Sequence, residues 1–206
     1  MNRNLSISLT LVAALLMIVA LGFLAGRTFR DPARQAPPEP YTRLEPATPL
    51  PELELHDQNS QPFGLKQLAG KWSLVFFGYT HCPDICPTTL VVLRDVERLA
   101  GGKNKNTQYV FVSVDPKRDR PEKLKAYVSY FHPDFIGVTG TQGGLMRLTR
   151  AVGAYYEVGP ARNGNYEVGH TAGIFLIDPE TKLRALFSGP HDAARIARGL
   201  QQLRGE

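Results

Sequence analysis

Residues 72–90 read Trp72-Ser73-Leu74-Val75-Phe76-Phe77-Gly78-Tyr79-Thr80-His81-Cys82-Pro83-Asp84-Ile85-Cys86-Pro87-Thr88-Thr89-Leu90. The first six residues form a short run rich in aromatic and β-branched side chains, the pattern of a buried strand. Gly78 to His81 breaks it. The two cysteines of the chain follow, Cys82 and Cys86, with Pro-Asp-Ile between them. Pro87 then opens a helical pattern. Proline suits a first helical turn, where its missing N–H would be unpaired anyway, and it turns the preceding residue away from helical angles. Cys86 is therefore expected at or next to the N-cap. A helix N-terminus carries partial positive charge and free N–H groups, so both thiols are expected to ionise more easily than usual.

Two core cysteines, or one structural disulfide, would be the plainer reading. Core cysteines need no bracketing prolines, and a structural disulfide rarely closes so small a loop. The spacing is one residue longer than the C-x-x-C of thioredoxin-like redox motifs. That weakens a simple oxidoreductase reading and leaves room for an ion between the sulfurs.

Two thiolates alone make a poor selective metal site, and five histidines could complete it. His56, His132 and His191 sit in turn-like sequence and are expected at the surface. His81 adjoins Cys82 and could bind an ion or merely tune the sulfur. His170 precedes the apolar run Ile174–Ile177, where a strand end could converge on the first strand–helix turn. The residues alone leave His170 equally a ligand or a hydrogen-bonded structural histidine.

Gly78 to Thr89, with its GYTHCPDICPTT sequence, resembles the signature of the Sco/SenC family of copper-binding assembly proteins, and the resemblance runs from about Leu53 to the C-terminus. It implies a thioredoxin-like α/β sandwich with a mixed central sheet, tethered to a membrane. It also implies a role in assembling the binuclear copper site of cytochrome c oxidase. Phe175-Leu176-Ile177-Asp178-Pro179 after His170 resembles the family region that carries a histidine ligand, so Cys82, Cys86 and His170 are the implied copper ligands. Family members commonly have an acidic residue just before this histidine; here it is Gly169, which puts any role of that acid in doubt. Val114-Asp115-Pro116 and Asp119-x-Pro121 also match. Asp115 and Asp119 could support the site or a partner, though turn and capping roles explain them equally. The implied partners are the copper-site subunit of the oxidase and other copper chaperones.

Two soft thiolates and one imidazole suit copper: sulfur selects Cu(I), and imidazole accepts Cu(II) as well. Structural zinc prefers four ligands, and no fourth is evident. The same cysteines could instead serve an enzyme, a thiol–disulfide reductase with one sulfur as nucleophile and the other resolving the mixed disulfide. A peroxidase would need an activating arginine that the sequence does not place beside either cysteine.

Elsewhere the pattern alternates strands and helices and then closes with a hairpin, the order of an α/β sandwich with a mixed sheet. Val110, Val112 and Val114 alternate with Tyr109 and Phe111 in the next expected strand. Asp119-x-x-Glu122 suggests a capping box for a helix ending near Phe131. Helices are also expected from Pro87 to Leu99, stopped by Gly101-Gly102, over Gln142–Val152 and over Asp192–Leu203. Tyr155–Val158 and Tyr166–Val168 are expected to form a hairpin around Gly159–Asn165.

Residues 5–26 contain no charged side chain. That is long enough for a membrane helix of about 20 residues and long for the core of a signal peptide, about 7–15 residues, although Ala20-x-Gly22 is a passable cleavage site. The chain is thus expected to comprise an anchor over 1–26, a proline-rich tether over 27–51, and a copper-binding domain over 52–206. A short N-terminal tail without a transit-type leader suggests a bacterial inner-membrane protein with its domain in the periplasm. The net charge of +5 on 206 residues is mild. No nucleic-acid motif is present, so nucleic acid is not an expected partner. Lys117, Arg118, Arg120, Lys123 and Lys125 cluster in sequence, as a solvated face or as a docking patch for an acidic partner.

Overall fold

The computed structural model describes residues 3–28, 39–100, 106–161 and 165–205. The chain falls into two units, Met1–Pro38 and Glu39–Glu206. The first contains helix α1, Arg3–Thr28. From Val12 to Leu24 its large apolar side chains are all more than half exposed. Among the described residues, no helix is long and apolar enough to cross a membrane. The side chains at the start of the uncharged run, residues 5–11, lie outside the described ones, as do tether residues 29–38 and the expected helix stop at Gly101-Gly102.

The second unit runs β1 (Thr42–Pro49), β2 (Leu55–Asp57), β3 (Pro62–Phe63), α2 (Leu65–Leu68), β4 (Trp72–Gly78), α3 (Ile85–Leu99), β5 (Thr107–Ser113), α4 (Pro121–Phe131), β6 (Ile136–Gly140), α5 (Gln142–Val152), β7 (Tyr156–Val158), β8 (Val168–His170), β9 (Ile174–Ile177), β10 (Lys182–Phe187) and α6 (Ala193–Arg204). Eight strands form one mixed sheet in the order β1-β10-β9-β4-β5-β6-β2-β3, and β7 pairs with β8 in a separate ribbon. β4 and β5 pair in parallel, as do β5 and β6, whereas β9 runs antiparallel to β4.

The strand period of two sends alternate side chains into two cores. Leu74 and Phe76 of β4, with Tyr109 and Phe111 of β5, meet α3, α4 and α6. Val75 and Phe77, with Val110 and Val112, meet α5. Phe76 and Phe77 are fully buried, each contributing roughly 1.5–3 kcal/mol by leaving water. The valine and aromatic faces of β5 separate as the sequence pattern predicts.

The folded unit begins before the expected boundary at residue 52. Thr42–Pro49 is an edge strand paired antiparallel with β10, and Tyr41 is buried against Phe187. Prolines are tolerated at a sheet edge and at irregularities, and the register shifts between Arg43 and Thr48, the stretch that contains Pro46. Helix α4 also departs from expectation. Pro121 stands in its first turn and Arg120 is the N-cap, with no side-chain cap. Asp119 is completely buried and serves elsewhere.

Candidate metal centre

Gly78 ends β4 directly beneath the cysteine loop. A Cβ there would lie 2.7 Å from Cys86 Sγ and 2.7 Å from the Phe111 ring, so only glycine lets that sulfur pack against the strand end. The loop from Tyr79 to Cys82 is fastened by Asp119. Its carboxylate accepts from the Thr80 backbone N–H at 2.7 Å, the Thr80 hydroxyl at 2.6 Å and the Ser113 hydroxyl at 2.7 Å. A buried carboxylate is tolerated because it is hydrogen-bonded in this way. Cys82 N–H donates to Tyr79 O at 3.2 Å, closing the turn.

Helix α3 starts two residues before Pro87, with Asp84 as N-cap. Cys86 therefore lies inside the first turn. It is fully buried and belongs to the core beneath α3, whereas Cys82 is half-buried; both are free thiols. Burial pushes the Cys86 thiol far above its ordinary value, and neighbouring Cys82 raises it further. This corrects the expectation of an easily ionised Cys86: desolvation outweighs the helix terminus.

His170 closes β8, not the loop after it. Its ring stands edge-on to Phe76 and Tyr79, with centroids 5.9 and 6.0 Å away. Nδ1 lies 3.2 Å from the Thr171 carbonyl. Donation from Nδ1 to that carbonyl leaves the lone pair on Nε2, which points at Cys86 Sγ, 3.4 Å away. Burial lowers the pKa of His170, keeping the ring neutral at neutral pH. Thr171 is tied to Tyr155 at the start of the ribbon by two backbone-linked hydrogen bonds of 2.9 Å. The ribbon thus carries the histidine over the end of β4.

The donor atoms of Cys82, Cys86 and His170 all lie within 4.8 Å of one another. Two sulfurs and one imidazole nitrogen with a free lone pair form a donor set that fits copper.

The other candidates go elsewhere. His81 is exposed and turns to Lys123, whose Nζ lies 3.0 Å from Nδ1. His56, His132 and His191 are all partly buried rather than exposed: His56 lies in β2, His132 is tilted against Phe135 with centroids 5.3 Å apart, and His191 donates from Nε2 to Ala172 O at 2.7 Å. Asp115 is buried and accepts from the Tyr166 hydroxyl at 2.7 Å and from Arg118 Nε. Gly169 is exposed, and Glu157 stands opposite it across the ribbon. Sequence reasoning missed Gly78, and it left site support by Asp119 as one option beside a capping role without finding its partners Thr80 and Ser113. A glycine directly before a cysteine loop was the available signal for the first; the second joins residues 39 apart and has no local signature.

The protonation states set the pH response. Metal binding needs thiolate sulfur and neutral imidazole, and apo Cys86 enters as a thiol, so binding must expel its proton. Cu(I) affinity is expected to rise by at least about tenfold per pH unit from pH 7 to 9. Protonation of His170 adds a second loss only below its ordinary value of 6.5, since its pKa is lowered. Competition titrations against a chelator of known pH behaviour check this; a flat profile would contradict it.

Residues 43–204 match the SCO1/SenC family model. The "SCO2-like protein" of Rickettsia felis is 35% identical over 153 residues, covering 72% of this chain and 75% of that one. Among solved structures, copper-bound ScoI of Bradyrhizobium japonicum superposes with a TM-score of 0.68 at 34% identity, covering 75% of this chain and 98% of that one. Copper-bound yeast Sco1 gives 0.72 at 30% identity, covering 77% and 90%. The thioredoxin-like fold with a mixed sheet is common to them.

Proposed function

The chain belongs to the SCO1/SenC family, and from that premise we propose that it is a copper chaperone for the binuclear copper site of cytochrome c oxidase. Cys82, Cys86 and His170 hold the copper in this reading. The observation that carries it is the convergence of their donor atoms within 4.8 Å. The placement of the sulfurs suits transfer by ligand exchange: Cys82 lies in the loop before α3 and Cys86 in its first turn, so an incoming thiolate or imidazole displaces Cys82 first, while Cys86 and His170 hold on.

A thiol–disulfide reductase is the second reading, favoured by two free thiols side by side at the cysteine loop. Cys82 thiolate would attack a disulfide of the acceptor, and Cys86 would then displace the mixed disulfide. The raised pKa of Cys86 works against the second step at neutral pH, because a thiol is a poor nucleophile.

The two separate in one experiment. Copper-loaded chain is mixed with the metal-free copper domain of an oxidase subunit, reduced in one arm and disulfide-bonded in the other. Copper is expected to appear on the reduced acceptor. An acceptor that stays empty when reduced, yet has its disulfide reduced by the copper-free chain, would favour the reductase.

Residues 1–26 are, in this proposal, an uncleaved anchor in a bacterial inner membrane, with the copper domain in the periplasm and the chain between residue 26 and the folded unit that starts at Glu39 as the link. The supports are the uncharged run 5–26 and the exposed apolar side chains of α1. By length alone the 26 residues of α1 span about 39 Å against a bilayer core of about 30 Å, although its described residues do not by themselves form an apolar stretch long enough to cross. Carbonate extraction of cells is expected to leave full-length chain in the pellet; release of a chain beginning near Phe23 would mark a signal peptide.

A further inference from the structure

Helix α4 turns one tyrosine toward the cysteines. Tyr127 packs against the core that contains Cys86, and Cys82 packs against the same core. Its ring centroid lies 5.4 Å from that of Phe111 and 5.3 Å from that of Phe131. Phe111 in turn meets the sulfur: a Cβ on Gly78 would be 2.7 Å from both the Phe111 ring and Cys86 Sγ. Long helical side chains point back over the preceding turn. One turn before Tyr127 stands Lys123, whose ammonium lies 3.0 Å from the His81 ring and 3.7 Å from Asp119. Tyr127 therefore leans toward the cysteine loop.

The Tyr127 hydroxyl is buried and has no hydrogen-bond partner. Buried polar groups are nearly always paired, so this one stands out. Burial raises its pKa, and the charges of Cys86, Cys82 and Asp119 raise it further, so it keeps its proton and can donate. Tyr79 lies in the field of the same two sulfurs, but its hydroxyl is already bonded to the Val168 backbone. The chemistry of Cys86 explains why Tyr127 is left over. Burial keeps Cys86 a thiol in the metal-free chain, and thiol sulfur is a weak acceptor. Metal binding takes the proton away and leaves a charged sulfur. Hydrogen bonds to charged acceptors are roughly twice as strong as those between neutral groups.

We infer that the Tyr127 hydroxyl donates to the Cys86 thiolate of the loaded site and draws charge off that sulfur. The inference rests on the proposed copper site. A donated hydrogen bond is strongest to the most electron-rich sulfur, the one bound to Cu(I) rather than Cu(II). Tyr127 thus biases the site toward Cu(I), as hydrogen bonds to ligand sulfur do in other metal centres.

The test is Tyr127→Phe, which removes only the oxygen, made in the reduced full chain in nonionic detergent. The probes are Cu(I), Cu(II) and Ag(I), a soft ion that suits two thiolates without any chaperone role. The variant is expected to take up as much Cu(I) as the parent, with about tenfold lower affinity, and to lose Ag(I) affinity alike. Cu(II) affinity is expected to stay within about threefold of the parent, while the sulfur-to-copper charge-transfer band moves to longer wavelength because the sulfur donates more strongly. The metal-free variant is expected to unfold at or above the parent's temperature, since an unpaired buried hydroxyl only costs stability. Tyr130→Phe is the control: that side chain is 83% exposed, and its loss of a hydroxyl should move none of these readings. Earlier unfolding of metal-free Tyr127→Phe would make the hydroxyl structural, and parent-like Cu(I) and Ag(I) affinities in the variant would place it outside the site; either result overturns the inference. Ag(I) binding weakened by the substitution, in a chain whose parent takes up no Cu(I), would leave the role of Tyr127 standing and remove the copper reading. Uptake of neither ion by the parent would remove both.

Discussion

Cys82→Ser and Cys86→Ser are each expected to lower the Cu(I) affinity of the reduced chain by more than about 100-fold, beyond what loss of a group supporting a ligand costs. A hydroxyl is a hard donor and does not replace a soft thiolate. The two variants should differ in stability. Cys82 is half-buried, so serine there leaves the fold nearly unchanged. Cys86 is fully buried beneath α3, and its sulfur packs where a Cβ on Gly78 would be. A serine hydroxyl at that position, short of a partner, costs about 1–3 kcal/mol. That is tolerable against a domain stability of about 5–15 kcal/mol, so Cys86→Ser remains folded at room temperature and melts several degrees earlier. Chelator competition and thermal unfolding of the same preparations check both halves. Unfolding of both variants at room temperature would make the cysteines structural.

His170→Ala should divide the two oxidation states of copper. Two sulfurs within reach of each other still suit Cu(I), so its affinity is expected to fall by less than about tenfold. Cu(II) favours nitrogen and oxygen donors in a tetragonal arrangement, and its affinity is expected to fall by more than about 100-fold. His81→Ala is the control, because its ring turns to Lys123 instead of the sulfurs; its Cu(II) affinity is expected within about threefold of the parent. Equal losses from the two histidine variants, or none from His170→Ala, would remove His170 from the site.

Much of the domain was legible because its local signals agree with its tertiary roles. The alternation in β5 sorts valines from aromatics into the two cores, and α5 has the expected bounds, with Thr141 capping its start and Gly153 in left-handed conformation at its end. The Cys82 and Cys86 spacing and the convergence of His170 were also readable, the histidine through family resemblance and not through any local pattern. What failed was every inference that needed to know what lies overhead. Cys86 was expected to ionise easily because a helix terminus can be read locally; the core that buries it comes from β4, β5, α4 and α6. Asp119 was expected to cap a helix because Glu122 follows three residues later, whereas its hydrogen bonds reach back to Thr80. Thr42–Pro49 was counted as tether because prolines suggest extended, unpaired chain, and only the free edge of β10 makes it a strand.

The central claim, a copper site of two sulfurs and one nitrogen, is tested most directly by X-ray absorption spectroscopy and metal analysis of the Cu(I)-loaded chain, prepared once reduced and once with Cys82 and Cys86 oxidised to a disulfide. A disulfide consumes both thiolates, so oxidation should remove the site. The predicted result is one copper per reduced chain, with two sulfur scatterers and one imidazole nitrogen, and no tightly held copper on the oxidised chain. Stoichiometric copper on the oxidised chain, or a first shell without sulfur in the reduced one, would contradict the assignment.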